Sequence, residues 1–243
     1  SCFHKIENKN TKNKKIKWGR YVTSFQEVNG IKYVFSQHPQ GKREDCHIDA
    51  ICSIIEETSI CWLDMTPQQF SKIFWKQYLL LEKDFLETDE FVTIDKSNFK
   101  TFSSRYTYLF LNICSEIDSI AEEYCKVVKA PSKVKNILQK MTVIVNDDPK
   151  IKDQRVSTKY PYEIINFVPF AGFDSESAAG WWQDYNLVKH FRADVPEKGI
   201  PNYQLAHLKN VMNALAALYI LCQNLYKLLG ESDLQLEPSR LFE

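Results

Sequence analysis

The 243-residue sequence contains no C-x-x-C pair, no H-E-x-x-H run, no clustered carboxylate-histidine pattern, no internal repeat and no long apolar stretch. The missing C-x-x-C removes the common paired-cysteine zinc and thioredoxin-type sites. Without H-E-x-x-H there is no recognisable metal-hydrolase helix. The longest apolar run, Ala214 to Cys222, has nine residues, half of the roughly 18 needed to span a bilayer, so no membrane segment is expected. Charge of one sign is also missing. Lys+Arg and Asp+Glu stand at 31 each, so no global field draws polyanions, and any nucleic-acid contact must come from local clustering.

Seven cysteines form an odd set with no segment resembling a signal peptide ahead of them, which makes the cytoplasm the expected compartment. Cys114, Cys125 and Cys222 fall on apolar helical faces and read as buried small hydrophobes. Cys46-His47 with Cys52 and Cys61 matches no standard ligand spacing, and neither a metal nor a cofactor is expected.

What is present, 44% hydrophobic and 26% charged residues, is the composition of a folded globular chain, with one large domain or one domain and a small appendage as the natural division. Residues 1–62 read as a basic arm followed by a small β-hairpin region. Lys5, Lys9, Lys12, Lys14 and Lys15 fill a polar stretch that suits a loosely held arm. Two β-rich runs then flank Asn29-Gly30, a dipeptide that favours the positive φ angles of a two-residue hairpin turn. The segment Cys46 to Glu57 carries Ile48, Ile51, Cys52 and Ile55 at helical spacing, but its β-branched content also allows a strand.

Residues 63–243 read as helical. Thr66-Pro67-Gln68-Gln69 joins an N-cap Thr, Pro at the first helical position and Gln at the third. The pattern continues through Phe70, Phe74, Tyr78, Leu81 and Phe85. A second helix begins near Ser103, with Tyr106, Leu109, Phe110, Ile113, Ile117, Ile120, Ala121 and Tyr124 on one face and acids on the other. A shorter helix is expected over 132–141, a long connection over 146–173, a fourth helix over 177–191, and a last one over 204–229 ending at Gly230. The expected fold class is mainly α: a bundle of four to five helices preceded by a small β-containing region.

The string Trp181-Trp182-Gln183-Asp184-Tyr185-Asn186-Leu187-Val188-Lys189-His190-Phe191-Arg192 is the most informative. Asn186 lies three positions before Lys189 and four before His190, so all three share a helix face. With Arg192 they bring four hydrogen-bonding groups to one helix end, where the cations also favour the negative end of the dipole. Trp181 and Trp182 are read as core or dimer packing in preference to base stacking, and His207 as a helix-surface histidine in preference to a second acid or base.

Asn-x-x-x-His after an aromatic-rich helix, followed by Asn210-Val-Met-Asn-Ala-Leu-Ala-Ala-Leu-Tyr, resembles the HEPN superfamily of small helical bundles. The resemblance extends over about residues 64–243. The family pattern places an Arg a few residues ahead of the His; here Tyr185 occupies that position, and Lys189 or Arg192 would supply the cation. The resemblance implies an RNA-directed protein working as a homodimer, either a metal-independent endoribonuclease in a toxin or phage-defence setting or a catalytically inactive binding module. The N-terminal region would then meet a nucleic-acid or protein partner. RNA supplies its own 2′-hydroxyl nucleophile, so His190 would move protons, Lys189 and Arg192 would stabilise the phosphate oxygens, and Asn186 would orient the imidazole or an oxygen. Glu116 and Asp118 on the facing helix would hold the His190 tautomer. Their i, i+2 spacing lets one of them at most face the motif.

Overall fold

The computed structural model describes residues 2–6, 15–18, 21–28, 31–37, 65–131, 134–173, 177–196, 199–230 and 234–243. The chain divides into two compact units, Ser1–Asp64 and Met65–Glu243.

In the first unit four strands, β1 (Cys2–Ile6), β2 (Lys15–Trp18), β3 (Tyr21–Val28) and β4 (Ile31–Gln37), form an antiparallel sheet in the order β1-β4-β3-β2. Val28 pairs with Ile31, the register a two-residue connection requires. Asn29 and Gly30 themselves lie outside the described residues, as do the segment Cys46 to Glu57 and Cys61. The basic stretch is not wholly an arm. Cys2–Ile6 pairs along β4 and Lys15 opens β2, so backbone pairing overrides the polar composition there.

The second unit is the helical one. Thr66 and Gln69 form a reciprocal cap, the Thr66 amide donating to the Gln69 side chain at 2.9 Å and the Gln69 amide to Thr66 Oγ1 at 3.2 Å. This opens α1 (Pro67–Phe70), which runs through a π-helical turn, Ser71–Trp75, into α2 (Lys76–Leu86). The wider turn advances the face by one residue. Trp75 is therefore buried where the even helical spacing put Phe74, and its indole stacks on Tyr78 with ring centroids 4.8 Å apart.

Ser103 caps α3 (Ser104–Val127), whose buried face carries all eight of the expected core residues. It packs chiefly against α6 (Leu208–Leu228). That last helix is buried nearly all round, Ala214, Ala216 and Ala217 included, because it runs through the centre of the bundle. Between them lie α4 (Ile137–Asp147), capped by Asn136, and α5 (Gly180–His190).

Three boundaries differ from the periodicity. α4 starts later and runs further, where the Asn136 cap fixes its first turn. α5 starts later because Ala179, at φ −53° and ψ 147°, is not helical. α6 starts four residues after Gln204 because His207 is extended (φ −101°, ψ 165°), and Asn202–Leu205 forms a separate 3-10 turn.

The expected long connection is built. Val156–Ser157 (β5) pairs with Asn166–Phe167 (β6), and the C-terminal residues join on, with Ser157 and Glu243 exchanging backbone hydrogen bonds at 3.2 and 3.0 Å. This ladder delivers the segment Ser239 to Phe242 onto α2, where Glu82 is 1% exposed. The Glu82 carboxylate accepts from Tyr78 Oη at 2.7 Å, from Ser239 Oγ, and from the Arg240 and Leu241 amides at 2.9 and 3.1 Å. Phe242 seats beside Tyr219, ring centroids 5.7 Å apart.

Candidate functional site

Asn186, Lys189 and His190 are all exposed on α5, and Arg192 is exposed two residues past the helix end. α5 is placed by its opposite face, where Trp181, Trp182, Tyr185 and Val188 are buried. The Trp181 indole donates to the Pro169 carbonyl at 2.8 Å, and Phe173 packs edge-on to both tryptophans. The paired indoles are thus committed to the core. Two amide side chains tie the helix further: Asn210 Nδ2 donates to Asp184 Oδ2 at 2.7 Å, and Asn202 Nδ2 to the Phe191 carbonyl at 2.9 Å.

A groove of about 570 Å³ runs along α5. Its walls are Ser115 and Asp118 of α3, Lys135 to Leu138 at the start of α4, Ser177 and Ala178, and Trp182, Gln183, Tyr185, Asn186 and Lys189 of α5. The volume falls in the range of small-ligand sites. Of the residues singled out from the sequence, Asn186, Lys189 and Asp118 meet here, beside the largely buried Trp182. His190, Arg192 and Glu116 are not among the lining residues. The groove reaches Lys189 in the last turn of α5, but the adjacent His190 is not part of its lining. Arg192 folds back along its own helix, Nε donating to the Val188 carbonyl at 3.4 Å.

The two carboxylates of α3 diverge, as their spacing requires. Asp118 faces the groove and Glu116 is half-buried on the other side, where burial raises its carboxyl above the ordinary range. Neither is hydrogen-bonded to His190 among the described residues. Asp118 instead takes Lys140 Nζ at 3.0 Å, and Glu122 takes the same nitrogen at 2.9 Å. Burial acts to lower the Lys140 ammonium, but its hydrogen bonds to Glu122 and Asp118 outweigh this and raise it. The Glu122 carboxyl is lowered, chiefly by that same hydrogen bond.

Lys140 was not legible as a site residue, since it sits in an apolar helical stretch and its partners are on another helix. Replacing it with Met is expected to cost about 1–2 kcal/mol in urea unfolding, less than for a fully buried pair because both carboxylates are half exposed. An unchanged midpoint would show the link between α3 and α4 to be carried by apolar contacts alone.

Asp118 shares the single Lys140 ammonium with Glu122, and the groove wall beside it carries two cations, Lys135 and Lys189. Lys135 and Lys189 make no ion pair among the described residues, and Lys189 Nζ rests 5.4 Å above the Tyr185 ring. Burial raises the Tyr185 phenol, partly offset by a hydrogen bond from Lys189. Amide groups of Asn136, Asn186 and Gln183 and the hydroxyl of Ser115 complete the lining. The signal for Lys135 and Asn136 was the cap ahead of Ile137, since the Gln139 amide donates to Asn136 Oδ1 at 3.0 Å.

His207 is neither on a helix surface nor in the groove. It is the half-buried N-cap of α6, its Nδ1 accepting the Asn210 amide at 3.3 Å. Among the described residues no group of His, Cys, Asp or Glu is placed to hold a metal ion, and no helix is long and apolar enough to cross a membrane. Comparison with protein-family models, curated proteins and solved structures returns no match for this chain.

Proposed function

We propose that the helical unit binds single-stranded RNA as a non-cleaving module of the HEPN-like type, with the groove along α5 as the contact site. The observation that carries this reading is the pair of cations in the groove: Lys135 and Lys189 make no ion pair among the described residues, while Asp118 on the wall is engaged by a Lys140 that it shares with Glu122. A backbone phosphate meets two cations there, and the neighbouring amides of Asn136, Asn186 and Gln183 offer donors and acceptors to base edges. Binding is favoured over cleavage because His190, the group suited to proton transfer, lies outside the groove, and Tyr185 stands where the family places its Arg.

The test is fluorescence anisotropy of a labelled single-stranded RNA oligonucleotide titrated with the full chain between about 50 and 200 mM salt. The double substitution Lys135→Glu with Lys189→Glu is expected to weaken binding at least tenfold and to reduce the slope of log K against log salt by roughly 1–1.5. Absence of binding by the parent protein, or equal binding by the variant, overturns the reading. Cleavage of the same RNA in EDTA, abolished by His190→Ala, would replace the binding module with a metal-independent ribonuclease in which Asn186, Lys189 and Arg192 serve His190.

A further inference from the structure

An N-cap must present an acceptor to the first free amides of its helix, and Ser, Thr, Asp or Asn usually does so. α6, the central helix of the bundle, is capped by an imidazole. Nδ1 can accept the Asn210 amide only while it is unprotonated, which fixes the tautomer with the proton on Nε2. The same residue, Asn210, is 5% exposed and ties two elements: its Nδ2 donates to Asp184 on α5 and, at 2.9 Å, to the Leu205 carbonyl. His207 also pairs as an isolated bridge with Phe102, and the next residue, Leu208, donates its amide to the Thr101 carbonyl at 2.9 Å. One ring therefore stands where α5, α6 and the lead-in to α3 meet.

We infer that His207 is a pH-sensitive cap: the neutral imidazole shares the Asn210 amide with the His207 carbonyl, 3.0 Å away, and so closes the first turn of α6 and helps to hold Asn210 where it braces α5, and protonation at Nδ1 removes one of the two acceptors and loosens both. A protonated ring turns an acceptor into a donor facing the Asn210 amide, so two donors oppose each other. Asp184 then becomes the natural partner for the imidazolium, in competition with Asn210 Nδ2.

The charged and titratable groups around the ring come from each neighbouring element. Asp184 of α5 and Lys209 of α6 act on the ring, and the other two neighbouring segments, 99–103 and the 3-10 turn, carry Lys100 and Tyr203 as their titratable groups. Burial lowers the His207 imidazole below its ordinary value, with Asp184 opposing the shift and Lys209 adding to it. The sign follows. Because the folded value lies below the unfolded one, the unfolded chain binds more protons as pH falls through the ordinary histidine range. Stability is therefore full at higher pH and declines from about pH 6.5 downward until the folded value is passed.

The experiment measures thermal unfolding of the full chain from pH 8 to pH 5, together with hydrogen exchange at the Asn210 amide. The parent protein is expected to lose midpoint temperature below about pH 6.5, with earlier loss of Asn210 protection than at other α6 amides. His207→Asn, which keeps a cap acceptor that does not titrate, is expected to flatten that part of the profile and keep Asn210 protected. His190→Asn serves as the control and should leave the profile unchanged. Parallel profiles for the parent and His207→Asn overturn the inference, as does Asn210 protection that is independent of pH. Should His207→Asn fail to fold, His207→Asp supplies an alternative cap, and the exchange measurement on the parent protein stands alone.

Discussion

Replacing Glu82 with alanine is expected to destabilise the helical unit by about 3–4 kcal/mol, the largest effect of any polar substitution in the bundle. The carboxylate is 1% exposed and accepts from Tyr78, Ser239 and the amides of Arg240 and Leu241. Removing it strands the buried Leu241 amide and leaves the Tyr78 and Ser239 hydroxyls, 2.9 Å apart, with only each other across the junction between α2 and the segment 239–242. Burial already raises the Tyr78 phenol well above its ordinary value, with the Glu82 charge adding to it. Glu82→Gln keeps the shape but brings an NH₂ group where an acceptor is needed, and is expected to cost less than the alanine, about 2 kcal/mol. Urea unfolding with intact slope measures both. A loss below about 1 kcal/mol for the alanine variant would mean that the tail is held by Phe242 and Leu241 packing, with the carboxylate incidental.

Trp181→Ala is expected to cost about 3–5 kcal/mol. The indole is 7% exposed, donates to the Pro169 carbonyl, and packs against Phe173 and Trp182, with ring centroids 6.1 and 5.7 Å away. Its removal leaves a cavity behind α5 and an unpaired carbonyl in the connecting segment. If the two indoles instead served RNA by stacking, Trp181→Ala would leave the unfolding midpoint in place and weaken RNA binding. That pattern of results would contradict the burial described above.

The features that could be read from the sequence are those whose partners are neighbours in the chain. The Thr66–Gln69 cap is complete within four residues, and the α3 core face repeats at its own helical period. Gly230 ends the last helix with φ +89°, a conformation open to glycine and strained for other residues. Features with distant partners were hidden. Glu82 looks like an exposed helix charge until Ser239 and Leu241 reach it across more than 150 residues. Lys140 needs α3, and the break at His207 needs the Phe102 segment. The π turn moved Trp75 inward without any mark in the apolar pattern.

The candidate site divides the same way. Asn186 and Lys189 were found because helical spacing is local. That Lys135 and Asn136 would meet them across the groove was hidden, because the start of α4 is 50 residues away from Asn186.

The tail on Glu82 also orders events during synthesis. The carboxylate emerges from the ribosome long before Ser239, Arg240 and Leu241 exist, and through that interval no later part of the chain can give it these donors. An ionised group without partners stays hydrated, so the Glu82 side of α2 gains these partners only once residues 239–241 have been made. Trp75 waits on the same segment, because its indole donates to the Glu237 carbonyl. The Glu82 side of the bundle is therefore closed only after every helix of the unit has been made, by residues that follow the last of them.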